Sequence, residues 1–183
     1  RRAIFLKGMK FMFRKATKKD IDRISEIYDE IHDSEEAGLV TIGWIRNIYP
    51  TRKTAEIAIA EGDMFVEEID GTIVAAARIN KEQVPEYADA SWTVDAPDDE
   101  VMVLHALVVS PKIKGKGYGT AFVDFYEKYA LENGCPYLRM DTNARNTAAR
   151  SLYKKLGYTE VSIVPCVFNG IDGVQLVCLE KNL

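Results

Sequence analysis

The feature that most constrains the fold is an apolar run that leads directly into a glycine-rich segment and an amphipathic helix. Val101–Val109 is almost entirely apolar and rich in valine, which predicts a strand buried on both faces near the centre of a sheet. Glycines alternate over residues 115–119, and aromatic residues recur at helical spacing from Phe122 onward. This order places the unpaired amides of a helix N-terminus at the end of the strand, and such a position binds anions.

The glycine-rich segment predicts a phosphate ligand of a restricted kind. Lys112, Lys114 and Lys116 add charge that suits a pyrophosphate. The Walker pattern GxxxxGK[ST] is absent, and the glycine spacing GxGxG differs from the dinucleotide pattern GxGxxG. Taken by itself, the segment is also compatible with a basic, solvated turn whose glycines reverse the chain.

The rest of the chain predicts one α/β domain. Thr17 and Thr51 are placed to cap two helices, with a mostly irregular loop over residues 33–50 between them. Asp70-Gly71 joins two strand-like runs and predicts a hairpin. The expected strands are residues 11–15, 64–69, 72–79, 101–109, 137–142, 158–164 and 174–180, and the later helices follow Gly119 and run over residues 147–156.

Residues 82–100 form an acidic segment that contains seven acidic side chains and no lysine or arginine. Pro85 and Pro97 interrupt any regular element, so we expect a loop with a short strand around Trp92. The segment would attract a cationic acceptor such as a polyamine, a lysine side chain or an amino sugar. A solvated loop that serves solubility is the alternative interpretation.

Composition limits the function classes. The net charge of −4 disfavours a nucleic-acid-binding protein. Three cysteines without a CxxC pair predict reduced, cytoplasmic thiols, and two histidines are too few for a multi-histidine metal site. No apolar run reaches the length of a membrane span. Residues 1–8 are interpreted as a cloning remnant or a disordered leader, and residues 9–183 as the domain.

Two separate segments resemble the GNAT acetyltransferase superfamily. Lys114-Gly115-Lys116-Gly117-Tyr118-Gly119 resembles the family's (Arg/Gln)-x-x-Gly-x-(Gly/Ala) motif, with lysine at the first position, and it follows Leu107-Val108-Val109-Ser110-Pro111, similar to the family's Leu-x-Val-x-Pro. About thirty residues later, residues 146–158 resemble Asn-x-x-Ala-x-x-Leu-Tyr-x-x-x-Gly-Phe, with Tyr158 in place of phenylalanine.

The resemblance implies an α/β (α+β) fold, a mixed and twisted sheet of six to seven strands that splays between its fourth and fifth strands, with about four helices. It implies that acetyl-CoA is the cosubstrate and that an amine is the acceptor. The few histidines and cysteines give no reason to expect a metal. The residues that the resemblance assigns to acetyl-CoA are Leu107, Val108, Val109, Lys114, Gly115, Lys116, Gly117, Tyr118, Gly119, Thr120 and Asn146.

Three side chains are candidates for proton transfer. Tyr153 occupies the family's acid position beside the coenzyme sulfur, and packing in the core is its alternative role. Asp141 ends the fifth strand and is a candidate base, or a cap of the next turn. His105, on the fourth strand, is a candidate proton relay or a hydrogen-bonded core histidine. Asn146 is expected to bond pantetheine and to cap the following helix.

The function predicted from the sequence is acetyl transfer from acetyl-CoA to a primary amine in a ternary complex. A non-catalytic acyl-CoA sensor, which would tolerate the loss of Tyr153, is the alternative from another class. A nucleic-acid module that uses the lysines at 112–116 is disfavoured by the acidic total charge. No membrane partner is expected, and assembly into a homodimer is left open.

Overall fold

The computed structural model describes Gly8, residues 10–113 and residues 115–183. Within these residues the chain forms seven strands, four α-helices and several single 3₁₀ turns. The strands are β1 (Phe11–Lys15), β2 (Met64–Ile69), β3 (Thr72–Asn80), β4 (Val101–Val109), β5 (Tyr137–Asn143), β6 (Thr159–Phe168) and β7 (Ile171–Asn182). The helices are α1 (Ile21–Glu36), α2 (Arg52–Ala60), α3 (Tyr118–Glu132) and α4 (Thr147–Lys155).

The strands form one mixed sheet in the order β1-β2-β3-β4-β5-β7-β6. All neighbours are antiparallel except β4 and β5, which run parallel. The β4–β5 pairing covers only Val101–Leu104 against Tyr137–Met140. Both strands continue beyond these pairs, so they diverge, and the predicted splay between the fourth and fifth strands is confirmed.

An irregularity in β4 lies where the divergence begins. Ala76 pairs with Val108 and Arg78 pairs with His105, so β4 advances three residues while β3 advances two. Ala106 takes up the extra residue with a φ of 50°. Such a bulge bends a strand and redirects its side chains, and here it turns the end of β4 away from β5.

The helices pack on both faces of the sheet. The core on one face joins α3 and Tyr153 of α4 to the middle strands, with Phe122 and Tyr126 fully buried. The core on the other face joins Ile24 and Ile27 of α1 to α2. A third cluster lies on this second face between β4, β7 and the acidic segment. The gap between β4 and β5 therefore lies between two helical layers, and each layer is held in place by its packing on the sheet.

The predicted elements are present, with four differences. Helix α1 extends to Glu36, into a range that was expected to be loop. The last two strands are longer than expected, because Asn169-Gly170 turns the chain in two residues. The acidic segment contains 3₁₀ turns that begin at Pro85 and Asp98. No strand forms at Trp92; its indole donates to the carbonyl of Tyr87 (2.9 Å) and its ring stacks on Arg139.

The remaining sequence expectations concern termini, thiols and membrane spans. Residues 1–7, Met9 and Lys114 lie outside the described residues, so the interpretation of residues 1–8 stays a prediction. Cys135, Cys166 and Cys178 are all unpaired thiols. No helix among the described residues combines the length and the apolarity that a bilayer crossing requires.

Candidate functional site

The gap between β4 and β5 exposes backbone groups of β4. The Ser110 amide donates to the carbonyl of Val74 on β3 (2.8 Å), so Ser110 faces β3. Backbone groups alternate in direction along a strand, which points the N–H and C=O of Val109, and likewise of Leu107, into the gap. The side chain of Val108 is buried on the opposite face from those of Leu107 and Val109.

The N-terminus of α3 lies directly after this strand. Gly117 begins the helix with a φ of 75°, and its carbonyl accepts the first intrahelical bond from Ala121 (3.0 Å). The N–H groups of residues 118–120 therefore have no acceptor inside the helix. The ring of Tyr118 is buried in the core, which leaves its amide as the group that can meet a ligand. This geometry suits a phosphate.

Gly117 and Gly119, the two glycines that match the family's motif, differ in how strongly their backbone conformation requires glycine. The left-handed conformation of Gly117 is strained for other residues. Gly119 has no such constraint, and a Cβ there would meet Leu152 and Val109 at 3.5 and 3.9 Å, which are ordinary contacts. The motif of the family, which accepts glycine or alanine at this second position, fits that difference.

The lysines around the glycine-rich turn are not all available to bind an anion. The ammonium of Lys112 lies 3.6 Å from Oε1 of Glu30, whose other oxygen accepts from Ser110 (2.5 Å). Lys116 is exposed, and Lys114 lies outside the described residues. Backbone amides are therefore the main described donors at this end of the gap, with Lys116 at its border.

A single cleft continues from the gap between β4 and β5 to the α1–α2 loop. Tyr153, Asp141 and Asn146 all line it, so the structure brings together three of the residues singled out in the sequence. Its far side is formed by the α1–α2 loop and the β6–β7 hairpin, which contribute Val40, Ile42, Trp44, Tyr49, Phe168, Ile171 and Val174.

Asp141 is held by a tyrosine from the acidic segment. The hydroxyl of Tyr87 donates to its Oδ2 (2.7 Å), and its Oδ1 has no hydrogen bond to any described residue. Burial raises the pKa of Asp141 to about 6, the hydrogen bond from Tyr87 opposes that rise, and the nearby charge of Glu86 adds to it. At neutral pH the group is thus a carboxylate with one oxygen open to the cleft.

Tyr153 combines a tightly packed ring with a hydroxyl group that borders the cleft. The residue is 8% exposed, and its ring packs edge-on against Tyr158. Its hydroxyl makes no hydrogen bond within the described part of the chain, although it borders the cleft. Burial raises the pKa of Tyr153 above the ordinary tyrosine range, and the charge of Asp141 raises it further. The phenol is therefore protonated across the physiological range and can donate a hydrogen bond.

His105 is positioned differently from the other candidates. Its Nε2 lies 2.8 Å from Oδ1 of Asn80, and it is not among the described residues that line the cleft. Burial, helped by the charge of Arg78, lowers the pKa of His105 to about 4, so the ring is neutral at pH 7. The structure favours the hydrogen-bonded role for this histidine.

Three asparagines line the cleft, namely Asn143, Asn146 and Asn169. Oδ1 of Asn146 accepts from the amide of Ala149 (3.2 Å), which confirms the helix cap and leaves its amide nitrogen for a ligand. Asn143 lies against Gly43 of the α1–α2 loop so closely that a Cβ on Gly43 would clash with its side-chain amide. Glycine at this position is therefore what allows the loop to approach β5.

Sequence reasoning did not identify Tyr87. The residue is 3% exposed and lies 54 positions from Asp141, within the segment that the sequence predicts to be an acidic loop. A signal was present, because Tyr87 is the single aromatic residue among residues 82–91 and follows the turn-forming Pro85. A buried aromatic ring in a polar segment indicates a packed turn rather than a solvated loop.

Replacing Tyr87 with phenylalanine is expected to raise the pKa of Asp141 by on the order of one pH unit, because hydrogen bonds to charged groups contribute about 1.5–3 kcal/mol. A ¹³C NMR titration of the Asp141 carboxyl measures this directly. Tyr49→Phe is the matched control, since Tyr49 also lies near Asp141 but makes no hydrogen bond with it. Equal pKa values in the parent and Tyr87→Phe chains would contradict the role given to this hydrogen bond.

Comparisons with known proteins agree with this geometry. The family model described as "Acetyltransferase (GNAT) family" matches residues 22–158. An uncharacterized N-acetyltransferase of Methanocaldococcus jannaschii is 25% identical over 160 residues, which cover 84% of this chain and only 63% of that protein. A GNAT-family acetyltransferase structure from Streptococcus agalactiae superposes with a TM-score of 0.76 at 24% identity, covering 97% and 96% of the two chains.

A further solved structure includes a ligand. It is an acetyltransferase from Salmonella typhimurium, described with acetyl-CoA as its cofactor. It matches at a TM-score of 0.67 and 20% identity, over 95% of this chain and 94% of that one. At these identities the two solved structures establish the shared fold.

Proposed function

We propose, because this chain belongs to the acetyltransferase (GNAT) family, that it transfers the acetyl group of acetyl-CoA to a primary amine by direct attack in a ternary complex. The observation that carries the proposal is the cleft at the β4–β5 divergence. A buried tyrosine and a carboxylate with one open oxygen line that cleft, and the N-terminus of α3 follows β4 in the chain with unpaired amides. These are the groups that acetyl transfer to an amine requires.

Acetyl-CoA fits the β4 side of the cleft. Its pantetheine amides would pair with the backbone of Leu107 and Val109, and Asn146 would add its amide nitrogen. Its pyrophosphate would lie on the amides of residues 115–120, where the helix dipole of α3 favours negative charge. The Salmonella typhimurium structure, which is described with acetyl-CoA, supports this choice of donor.

Asp141 would act as the base. With a pKa of about 6 it is mostly ionised at neutral pH, and Oδ1 can accept a proton from an incoming ammonium. The neutral amine then attacks the thioester carbonyl, and backbone N–H groups of β4 stabilise the oxyanion that forms. His105 is neutral and bonded to Asn80, so the proposal gives it no proton to carry.

Tyr153 would stabilise the leaving thiolate. The N–C bond forms, the C–S bond breaks, the nitrogen loses its second proton, and the sulfur gains one to release free coenzyme A. The products are an amide, coenzyme A and one net proton from the starting ammonium. A thiol has a pKa of about 8.5, well below that of this buried phenol, so Tyr153 contributes mainly as a hydrogen-bond donor to the sulfur.

Gly117→Ala is expected to weaken acetyl-CoA binding by about tenfold, because a Cβ there distorts the turn that presents the helix amides and reduces the room for phosphate oxygens. Gly134→Ala is a matched control. Gly134 follows the other end of α3, has a φ of 73° against 75°, and likewise has no atom within 4 Å of an added Cβ. Both variants should lose about 1 kcal/mol of stability, and titration calorimetry with acetyl-CoA separates binding from stability.

The activity itself is tested by mixing the chain with acetyl-CoA and primary amines, following thiol release and identifying the acetylated product by mass spectrometry. Turnover that depends on the amine supports the proposal. Tight acetyl-CoA binding without turnover for any amine would instead favour the acyl-CoA sensor. Equal acetyl-CoA affinities for the Gly117→Ala and Gly134→Ala variants would remove the helix N-terminus from the proposed binding site.

A further inference from the structure

The acceptor half of the cleft is walled by uncharged side chains, many of them apolar, with the amides of Asn143 and Asn169 among them. Trp44 and Tyr49 meet edge-on at 5.8 Å between ring centroids, and Phe168 reaches the same cleft from the β6–β7 hairpin. Ile42 and Val40 complete the wall on the α1–α2 loop. All five side chains are only partly buried, so each retains apolar surface that an acceptor can cover.

A single charged side chain borders this space among the described residues that line the cleft, and that side chain is Asp141. The charge of Glu86 also acts on Asp141, although Glu86 does not line the cleft. None of the other acidic residues of the 82–100 segment is among the described lining residues, and Asp95 and Asp98 border a separate groove beside Arg139. One carboxylate, supported by one neighbour, suits one ammonium group.

Cations are also missing from the described wall, because nearby arginines are held outside it. Arg46 lies in the same loop as Trp44, but its guanidinium pairs with Asp33 and Glu36 of α1. Arg78 likewise pairs with Asp63. An acceptor with its own carboxylate or phosphate would lose water on entering this space without gaining a cationic partner among the described lining residues, which is a large cost.

We propose that the acceptor is a small amine with one positive charge and an aromatic or branched apolar substituent, and with no carboxylate or phosphate. This inference rests on the proposed function and specifies its substrate class. The ammonium would meet Oδ1 of Asp141, and the substituent would lie between Trp44, Tyr49 and Phe168. Polyamines fit poorly, because a second ammonium group would find no second carboxylate among the described residues that line the cleft.

The apolar surface continues a short way beyond the cleft. Ile48 is 46% exposed and packs near Gly170 of the β6–β7 turn, where an added Cβ would lie 3.4 Å from Cγ2 of the isoleucine. Ile48 does not line the cleft itself. It therefore offers a control position in the same loop, apolar and exposed like the wall but outside the proposed binding space.

Matched amines test the substrate class in the thiol-release assay with the full chain. We expect kcat/KM for 2-phenylethylamine to exceed that for phenylalanine by at least about 100-fold, since the two differ by one carboxylate. Phenylalaninamide, which has similar size without that charge, should recover most of the loss. Hexylamine should exceed 1,6-diaminohexane by about tenfold or more, because the second ammonium would find no second carboxylate among the described lining residues.

Two variants locate the effect. Trp44→Ala should raise KM for 2-phenylethylamine about tenfold while KM for acetyl-CoA stays unchanged, and the unchanged value shows that the variant is folded. Ile48→Ala should leave both constants near those of the parent chain. Comparable use of phenylalanine or 1,6-diaminohexane would overturn the inference, as would turnover confined to an aminoglycoside or a peptide N-terminus, while the transferase function would stand. No turnover with any amine would overturn both.

Discussion

Replacing Tyr153 with phenylalanine will lower kcat by about a hundredfold and leave the affinity for acetyl-CoA within about twofold of the parent chain, since one hydrogen-bond donor aimed at developing negative charge contributes roughly 10²–10³-fold. The change removes one hydroxyl and keeps the ring that packs against Tyr158. That hydroxyl has no hydrogen-bond partner in the described part of the chain, so its removal leaves no protein group unpaired. The loss should therefore appear in the chemical step and hardly at all in stability.

Tyr158→Phe is the matched control for this experiment. Tyr158 is 4% exposed, adjoins Tyr153, and donates its hydroxyl to Glu127 (3.1 Å) away from the cleft. Its replacement should reduce stability by about 1 kcal/mol and leave kcat unchanged. Single-turnover rates and calorimetric acetyl-CoA titrations distinguish the two variants. A kcat for Tyr153→Phe within twofold of the parent value would remove Tyr153 from the mechanism.

Glu67→Gln will make the protein much more stable at alkaline pH and change it little at acidic pH. Glu67 lies on β2 with no exposed surface, and neither carboxyl oxygen has a hydrogen-bond partner among the described residues. Its strand neighbours are Phe13 and Ala75, which offer no polar side-chain group. Burial raises the pKa of Glu67 from 4.5 to about 8, so the native chain holds this proton across the neutral range.

The sign of the effect follows from proton binding. Between pH 4.5 and pH 8 the native state keeps the proton that the unfolded chain releases, so Glu67 lowers stability progressively as pH rises through this window. Each pH unit corresponds to about 1.4 kcal/mol, which gives roughly 5 kcal/mol over the window. Below pH 4.5 both states are protonated and the contribution is constant. Glutamine has a similar shape and no titration, so it removes this dependence.

Urea unfolding of the parent chain and the Glu67→Gln variant between pH 4.5 and pH 9 tests this prediction. The difference between their free energies of unfolding should grow with pH. Glu68→Gln, one residue away, is the control of opposite sign. Glu68 is a paired carboxylate, 2.8 Å from the guanidinium of Arg14, so its neutralisation should reduce stability at neutral pH. A parent-minus-variant difference for Glu67→Gln that stays flat with pH would show that this carboxyl ionises normally in the native state.

Local patterns were sufficient to predict most of the fold. The valine-rich run at Val101–Val109, the Asp70-Gly71 turn and the two glycine-containing signatures each encode an element through its own periodicity or turn chemistry. Errors occurred where long-range packing decides. Helix α1 continues to Glu36, and Glu35 then holds the following loop by accepting from the amides of Ile42 (2.6 Å) and Gly43 (3.0 Å).

The site was predicted less completely, for the same reason. Asp141, Tyr153 and Asn146 belong to one signature or border it, so the sequence could group them. Tyr87 meets Asp141 only because the acidic segment folds back over β5, and no local pattern encodes that contact. The fully buried position of Glu67 could not be predicted either, because a glutamate is almost never fully buried without a partner.

The divergence of β4 from β5 also has a consequence for the protein without its ligands. An open sheet has two borders, and this sheet has a third in its interior, where main-chain donors and acceptors of Leu107 and Val109 face a cleft instead of a strand. Unpaired main chain of this kind accepts any extended partner, including a segment of another polypeptide. A donor molecule that occupies it stabilises the native state by mass action. The resistance of the fold to unfolding and to self-association should therefore increase with the concentration of acetyl-CoA.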